Sequence, residues 1–376
     1  MIYLDNSSTT RKKPLSVIIT SARALKYSAN PNRASHKLAL RSSLKVFEVR
    51  ERIKKFFNAP NNSSVVFTYN CTESLNTVIM GTAKQNGNVI VTAFEHNSTL
   101  RPLYNLQKTH NITITVISPN KDGQILEDDI IKNINSKTYL VVVNQTSNVT
   151  GSTTKLNKLG SILQEKGILL LIDAAQSAGH EKIDMTKLGA NFICIAGHKG
   201  LFGPQGIGAL VVNNAEVNPL KFGGSGTNSL EHTMPSYYPD RLEAGTINTP
   251  GIFALGAGIK FVENHFDKIN NKVEKLSNIL MEYLKTNQNI KLYSSNPHSG
   301  VISFEFKNLD SNEAANILNE KYKICVRSGL HCAPLIHTFL GTQNSGLIRV
   351  SISYFNTKTE IKKLIKALNK MTTKKD

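Results

Sequence analysis

Six short apolar runs rich in β-branched residues punctuate the first half of the chain, at 65–67, 89–91, 112–117, 139–143, 168–172 and 192–195. Between most of them lie stretches of helix length, at 72–83, 99–108, 127–134 and 156–166. Strands that are apolar throughout, alternating with helices, imply a mostly parallel α/β sheet covered on both faces. In such a sheet ligands bind outside the carboxyl ends of the strands. Residues 37–57 precede this region and read as one amphipathic helix, with Leu40, Leu44, Phe47, Val49, Ile53 and Phe56 along its apolar side. From about Pro250 the texture changes. Residues 252–266, 268–286, 311–321 and 358–369 read as helices, and 290–293, 301–306 and 348–353 as strands, which makes an α+β C-terminal region. A chain of 376 residues is long for one ordinary domain and points to two that share a core.

The formal charge is +18, and much of it is local: residues 11–55 carry thirteen Lys or Arg against Glu48 and Glu51, and 358–375 is again lysine-rich. Aromatic residues are not interleaved with these cations for base stacking, so nucleic-acid binding is not expected. A solvated face, or a field that steers an anionic partner, is the reading. No run of about 18 apolar residues suits a membrane span, and the first residues lack the basic and apolar regions of a secretory signal. The four cysteines, Cys71, Cys194, Cys325 and Cys332, make no disulfide framework, and a cytoplasmic location is expected.

The strand ends carry the chemistry. Lys199 follows the run 192–195 within Gly197-His198-Lys199-Gly200. A partly desolvated lysine gives up its proton more readily, and a neutral amine attacks carbonyls. The run at 65–67 leads into Cys71-Thr72-Glu73 at a helix start, where hydroxyl and N–H groups form an anion site; Thr72 as a plain helix cap is the bland alternative. After 89–91 comes Glu95-His96-Asn97, after 139–143 comes Ser147-Asn148-Val149, and after 168–172 comes Asp173-Ala174-Ala175-Gln176. A carboxylate at the end of a buried strand is costly unless it meets a cation. One flat heteroaromatic cofactor uses the whole set: the lysine takes its aldehyde, the carboxylate its ring nitrogen, the imidazole its face and the anion site its phosphate. Pyridoxal 5'-phosphate has those features.

These segments, in this order, resemble the cysteine desulfurase and selenocysteine lyase group of class V aminotransferase-fold enzymes. Tyr3-Leu4-Asp5-Asn6-Ser7-Ser8-Thr9-Thr10 is similar to the family's opening motif, Asn30-Pro31 with Ser35-His36 to its next, and Arg241-Leu242-Glu243-Ala244-Gly245-Thr246 to its RFEAGT segment. Arg327-Ser328-Gly329-Leu330-His331-Cys332-Ala333 resembles the loop that carries the sulfur-accepting cysteine. The resemblance implies an α/β fold of PLP fold type I. A mostly parallel seven-stranded sheet would lie in a large domain (15–250), and the smaller α+β domain would comprise 1–14 with 251–376. It implies a homodimer that converts L-cysteine to L-alanine, with a persulfide on Cys332 and a sulfur-acceptor protein. Lys199, Cys332 and His96 would be catalytic. Cys71, Thr72, His96, Asn148, Asp173, Gln176, His198 and Lys199 would hold the cofactor, with Thr246 reaching the partner subunit's phosphate. Asn148, Arg327 and Arg349 would bind substrate, Arg349 by clamping its carboxylate in the bidentate manner that suits Arg.

Cationic neighbours lower a thiol's pKa, and Arg327 and His331 are candidates for doing so at Cys332. Zinc is not expected, because Cys325, His331, Cys332 and His337 fit no standard ligand spacing. The chain departs from the family pattern at Ala196, where a phosphate-binding serine is usual, at Leu330, in place of a histidine, and at Asn6-Ser7-Ser8. Its short loop before Cys332 resembles the group-two enzymes. Selenocysteine lyases and other class V aminotransferase-type enzymes are alternatives, as is a non-catalytic scaffold whose basic face docks an acidic partner, though the presence of both Lys199 and Asp173 argues against the last.

Overall fold

The computed structural model describes residues 1–31, 34–227 and 229–373. In chain order its elements are β1 (Ile2–Tyr3), α1 (Leu15–Tyr27), α2 (Lys37–Phe56), β2 (Ser64–Thr68), α3 (Cys71–Gly81), β3 (Asn88–Thr92), α4 (Asn97–His110), β4 (Thr113–Ile117), α5 (Glu127–Lys132), β5 (Thr138–Asn144), α6 (Leu159–Glu165), β6 (Leu169–Asp173), α7 (Met185–Leu188), β7 (Phe192–Ala196) and β8 (Gly208–Val212). There follow α8 (Thr249–Thr286), β9 (Ile290–Leu292), β10 (Val301–Phe306), α9 (Ser311–Tyr322), β11 (Ile324–Cys325), α10 (Pro334–Leu340), β12 (Ile348–Ser351) and α11 (Lys358–Thr373).

The expected mixed α/β architecture is present. Seven strands form one sheet in the order β2-β8-β7-β6-β5-β3-β4, and β8 alone runs against the rest. The run 208–212 that makes β8 was not anticipated; it is glycine- and alanine-led, and it enters the sheet by pairing on both sides. The period of two sorts side chains to two apolar layers. Ile90, Val141, Ile172 and Ile193 meet Val49 and Ile53 of α2 and Ile252 and Leu255 of α8 on one face. On the other, Val89, Leu140 and Leu171 meet Leu75 and Val78 of α3 and Leu100 and Leu103 of α4. The sheet is thereby covered on both faces, and its polar business is left to the strand ends.

One helix reading needs correction. The side of α2 that meets the core is Ala39, Val46, Val49 and Ile53, while Leu40, Leu44 and Phe47 are exposed. Periodicity identifies an apolar stripe but not which neighbour covers it, and here two stripes share one helix. The expected pair of helices at 252–266 and 268–286 is present as the two segments of α8, which meet at a kink at His265, where the backbone is non-helical with φ −132° and ψ 17°. Asn248 caps its start by accepting from the Gly251 N–H, and α1 and α2 pack along it.

Beyond the bend a second sheet forms, β12-β10-β9, all antiparallel. Ile302, Phe304, Ile348 and Val350 pack there with Leu280 and Leu284 of α8, Leu318 of α9 and Ile361 and Leu364 of α11. The first residues join this end of the molecule. β1 pairs in parallel with β11, Leu4 is fully buried, and the Asn6 side chain donates to the Ser351 carbonyl at 2.9 Å.

Close packing between α6 and α7 gives a direct test of the core. A methyl group added at Gly160 would lie 1.8 Å from the Leu188 carbonyl oxygen, a backbone atom that cannot swing aside. Gly160→Ala is expected to cost about 1–3 kcal/mol, read as a lower urea midpoint; an unchanged midpoint would show that this contact relaxes freely.

Candidate active site

The strands β5, β6 and β7 end side by side. Asn144 pairs with Asp173, and Asp173 with Cys194. Parallel strands in register bring their carboxyl ends to one edge, so the side chains that follow converge there. One cavity is lined by Cys71, Thr72, His96 and Asn148 together with Asp173, Gln176, His198 and Lys199. Eight of the residues expected to serve a cofactor are therefore neighbours in space.

Burial pushes the Lys199 amine below its ordinary value, with Arg349 and Arg327 adding to that effect and the Asp173 carboxylate and Cys71 opposing it. Burial raises Asp173, while the Ala175 N–H and the nearby Lys199 hold it down. Two donors meet the same oxygen: the Ala175 N–H lies 2.8 Å and the Cys71 Sγ 3.5 Å from Asp173 Oδ1. Oδ2 has no such partner among the described residues. Cys71 itself is driven well above its usual value by burial and by Asp173, so it stays a thiol and donates.

At the start of α3 the cap is Asn70, whose side chain accepts from the Glu73 N–H at 2.9 Å. This overturns the plain-cap reading of Thr72. The Thr72 hydroxyl instead meets the Ser98 hydroxyl at 2.8 Å, across the amino ends of α3 and α4. Ser98 also contacts His96 Nδ1 at 2.8 Å, and its N–H donates to the same atom. Nδ1 is thus an acceptor, and the neutral ring carries its proton on Nε2. Burial, then Lys199 and three arginines, push His96 down to about 4, so the ring is uncharged at neutral pH. Ser98 was missed in the sequence because it looked like an ordinary first-turn serine.

Asn148 donates to the His331 carbonyl at 2.7 Å, and its Oδ1 is buried with no partner. Gln176 Nε2 donates to the Ser7 carbonyl at 3.1 Å. His198 is pushed down to about 4 by burial first, then by Lys199 and Lys13, and its Nδ1 is buried and unpartnered.

Arg349, Arg327 and Cys332 stand beside this cavity rather than in its lining. Arg349 is 1 % exposed, so it is no surface charge. Its Nη1 donates to the Asn148 carbonyl at 3.1 Å, its Nη2 to Asp5 and Ser8 at 2.9 Å each, and its Nε is unpartnered. Arg327 pairs backbone to backbone with Arg349 and reaches Ser8 at 3.2 Å and Cys332 Sγ at 3.6 Å. His331 and Cys332 are successive left-handed residues, with φ of 52° and 58°, which turns the loop so that the Cys332 carbonyl accepts from the Asn97 N–H at 2.7 Å. The His331 ring does not act as a cation beside the thiol. It stacks on His337 with centroids 5.7 Å apart, and burial holds it far below the usual imidazole range. Of the two candidates for that electrostatic role, only Arg327 approaches the sulfur.

Thr246 is exposed and lines a neighbouring cleft with Tyr69 and Glu73. Its loop is anchored by Glu243, which takes both Nη groups of Arg50 at 2.7 Å and the Phe67 N–H at 2.6 Å. Cys194 is fully buried in β7 and Cys325 lies in β11. Among the described residues no His, Cys, Asp and Glu side chains group as a metal site would require.

Comparison with known proteins follows the same line. The family model described as aminotransferase class-V matches residues 2–364. A protein of Methanothermobacter thermautotrophicus called "Probable cysteine desulfurase" is 34% identical over 98% of this chain and 94% of its own length. One of the same name from Borreliella burgdorferi is 32% identical over 99% of this chain and 92% of its own. The solved apo structure of cysteine desulfurase from Thermococcus onnurineus NA1 superposes with a TM-score of 0.88 at 31% identity, covering 99% of this chain and 94% of that one.

The stacked histidines behind Cys332 carry a pH test. His337 is fully buried, donates to or accepts from Thr342 at 2.8 Å, and is lowered by burial from 6.5 to about 4. Between those values the unfolded chain binds the proton and the folded one does not, so stability is present above 6.5 and falls as the pH drops towards 4. His337→Gln is expected to flatten that acid limb. Urea midpoints at about pH 7 and about pH 4.5 report it; equal losses in variant and parent would count against a neutral buried His337.

Proposed function

Because this chain belongs to the class-V aminotransferase family, we propose that it is a pyridoxal 5'-phosphate-dependent cysteine desulfurase, converting L-cysteine to L-alanine and carrying the sulfur as a persulfide on Cys332. The observation that carries this reading is the convergence of a buried amine, a buried carboxylate and a loop thiol: Lys199 and Asp173 line one cavity, and Asn148 of that cavity is hydrogen-bonded to the residue before Cys332.

The residues fit the cofactor. Asp173 keeps Oδ2 free while Oδ1 is occupied, as a carboxylate holding a ring nitrogen needs. Thr72 and Ser98 present paired hydroxyls at two helix amino ends, where a phosphate is welcome, and they serve where Ala196 has no hydroxyl to offer. His96, uncharged, suits the ring face. His198 and Gln176 complete the cradle, and Cys71 acts through Asp173. When bound, the cofactor supplies an electron sink for the substrate carbon.

Lys199 would hold the cofactor at its aldehyde carbon and would move the substrate α-proton, since burial favours its neutral form. Asn148, Arg327 and Arg349 receive the substrate carboxylate, Arg349 through an Nε that has no partner of its own. Cys332, as thiolate, attacks the substrate sulfur. A sulfur–sulfur bond forms, the carbon–sulfur bond breaks, and its electron pair stays on carbon, which takes a proton to become alanine. An acceptor thiol then removes the outer sulfur.

The partner subunit is a second copy. In one chain Leu15, Ile18 and Leu25 of α1 and Leu40, Leu44 and Phe47 of α2 are exposed, and Thr246 faces outward from the loop that Glu243 anchors. Covering these apolar faces favours association, and Thr246 is then available to the partner's phosphate site. We divide the chain into a large domain, 15–250, and a small one, 1–14 with 251–376, on the pairing of β1 with β11. No helix among the described residues is long and apolar enough to cross a membrane, and four free cysteines suit the cytoplasm.

Lys199→Ala is expected to lose the borohydride-fixed cofactor label and to lower alanine formation by at least ~100-fold. Cys332→Ala is expected to keep cofactor and cysteine binding yet form almost no alanine. Alanine formation at the parent rate in Cys332→Ala, or an α-keto acid as the product, would favour a different class V reaction. Phe47→Glu is expected to shift the protein towards monomer by analytical ultracentrifugation; an unaltered dimer would exclude this face of α2 from the interface.

A further inference from the structure

We propose that Lys13 is a positioning residue for the cofactor lysine: through its hydrogen bonds to Thr10 and to the His198 carbonyl, it braces the backbone that carries Lys199. The proposal rests on the assignment of Lys199 as the cofactor lysine.

Of the three consecutive cations Arg11, Lys12 and Lys13, the first two are exposed and only the third folds inward. Its Nζ lies 3.0 Å from the His198 carbonyl oxygen and 2.6 Å from Thr10 Oγ1. The Thr10 hydroxyl is 3.0 Å from the same carbonyl and 3.2 Å from that of Lys199, and the Thr10 N–H also donates to His198. An ammonium has no lone pair, so Lys13 must be the donor to Thr10. The hydroxyl proton is then free for a carbonyl. With Lys13 and the Thr10 N–H already on His198, that proton goes to the Lys199 carbonyl. A two-residue clamp therefore grips the carbonyls on both sides of the Lys199 Cα. It includes a charge-assisted bond, the stronger kind.

The cation is placed at some cost. Burial is the one cause that lowers Lys13, to about 8, and no carboxylate contributes. His198 is the titratable group that faces it from the turn after β7, and it is basic. A lysine kept in such surroundings, held by neutral oxygens alone, is not explained by ion pairing. Holding the turn before and after Lys199 is what its contacts accomplish. The Lys199 amine has its own opposition from Asp173, so a small slackening of this turn changes the distance between amine and carboxylate on which the site depends.

The test uses the holoenzyme and its reconstitution with pyridoxal phosphate. Lys13→Met is expected to weaken pyridoxal phosphate binding about tenfold, the effect of one charge-assisted hydrogen bond, and to shift the pH midpoint of the bound cofactor's visible absorbance. Lys13→Arg, which still donates to carbonyls, should restore most of both. Thr10→Val keeps the charge but removes the relay, and should move both readouts in the direction of Lys13→Met. Cofactor affinity and absorbance titration in Lys13→Met that superimpose on the parent would overturn the proposal. So would equal impairment in Lys13→Arg. If Lys13→Met does not fold, Thr10→Val decides, and parent-like behaviour there overturns it. Failure of borohydride to label Lys199 in the parent would instead count against the cofactor-lysine assignment itself.

Discussion

An amine and a carboxylate taken out of water together are the constraint on which this site depends. Lys199 and Asp173 each pay for burial in the direction that discharges them, and each pulls the other back towards its charged form. Neither is tolerable alone at the end of a buried strand, where desolvation of a lone ion costs several kcal/mol. The sheet makes the meeting possible, because β6 and β7 are parallel, adjacent and in register. Cys71 and the Ala175 N–H then fill one oxygen of the carboxylate and leave the other. The flanking imidazoles, His96 and His198, are kept neutral by burial first and then by Lys199, which acts on both, so the cavity carries its charge on few atoms.

A second buried ion, Arg349, joins the sheet edge to the rest of the chain. It is held by Asp5, Ser8 and the Asn148 carbonyl through its two terminal nitrogens. Asn148 in turn reaches the residue before Cys332. Removal of Asp5 would leave a guanidinium in a dry place, which is far more costly than the net value of the pair. The loop thiol and the cavity are thus parts of one hydrogen-bonded framework, although β12 and β5 lie in different sheets.

Much of this was legible from residues alone, and the omissions have physical causes. β-branched runs announced β2 to β7; the central strands are buried on both faces and have no choice but to be apolar, while β4, at the edge, is mostly not buried. β8 escaped notice because its first residues are glycine and alanine, and only its two neighbours make it a strand. The strand-end residues Asp173, Gln176 and Lys199 stood out since polar groups after such runs need a reason. Thr72 lines the cavity, and its bland alternative was wrong, as Asn70 caps the helix instead. The exposed stripe of α2 could not be told from the buried one, for both recur at helical spacing. Lys13 was hidden in a run of cations that reads as solvated. His331 looked like a cation beside a thiol, whereas two left-handed residues turn its ring onto His337.

The pairing of the opening residues with the closing ones has a consequence for biosynthesis. Asn6 is satisfied by Ser351 and Asn356, and Asp5 by Arg349, so a strand translated before the seven-stranded sheet finds its partners after it. The seven-stranded sheet can assemble from residues already made, but Asp5 and Asn6 must wait until more than three hundred further residues have been translated. Long-range closure of this kind is slow. A nascent chain would therefore carry Asp5 and Asn6 without their partners until the region of Arg349 and Ser351 has emerged.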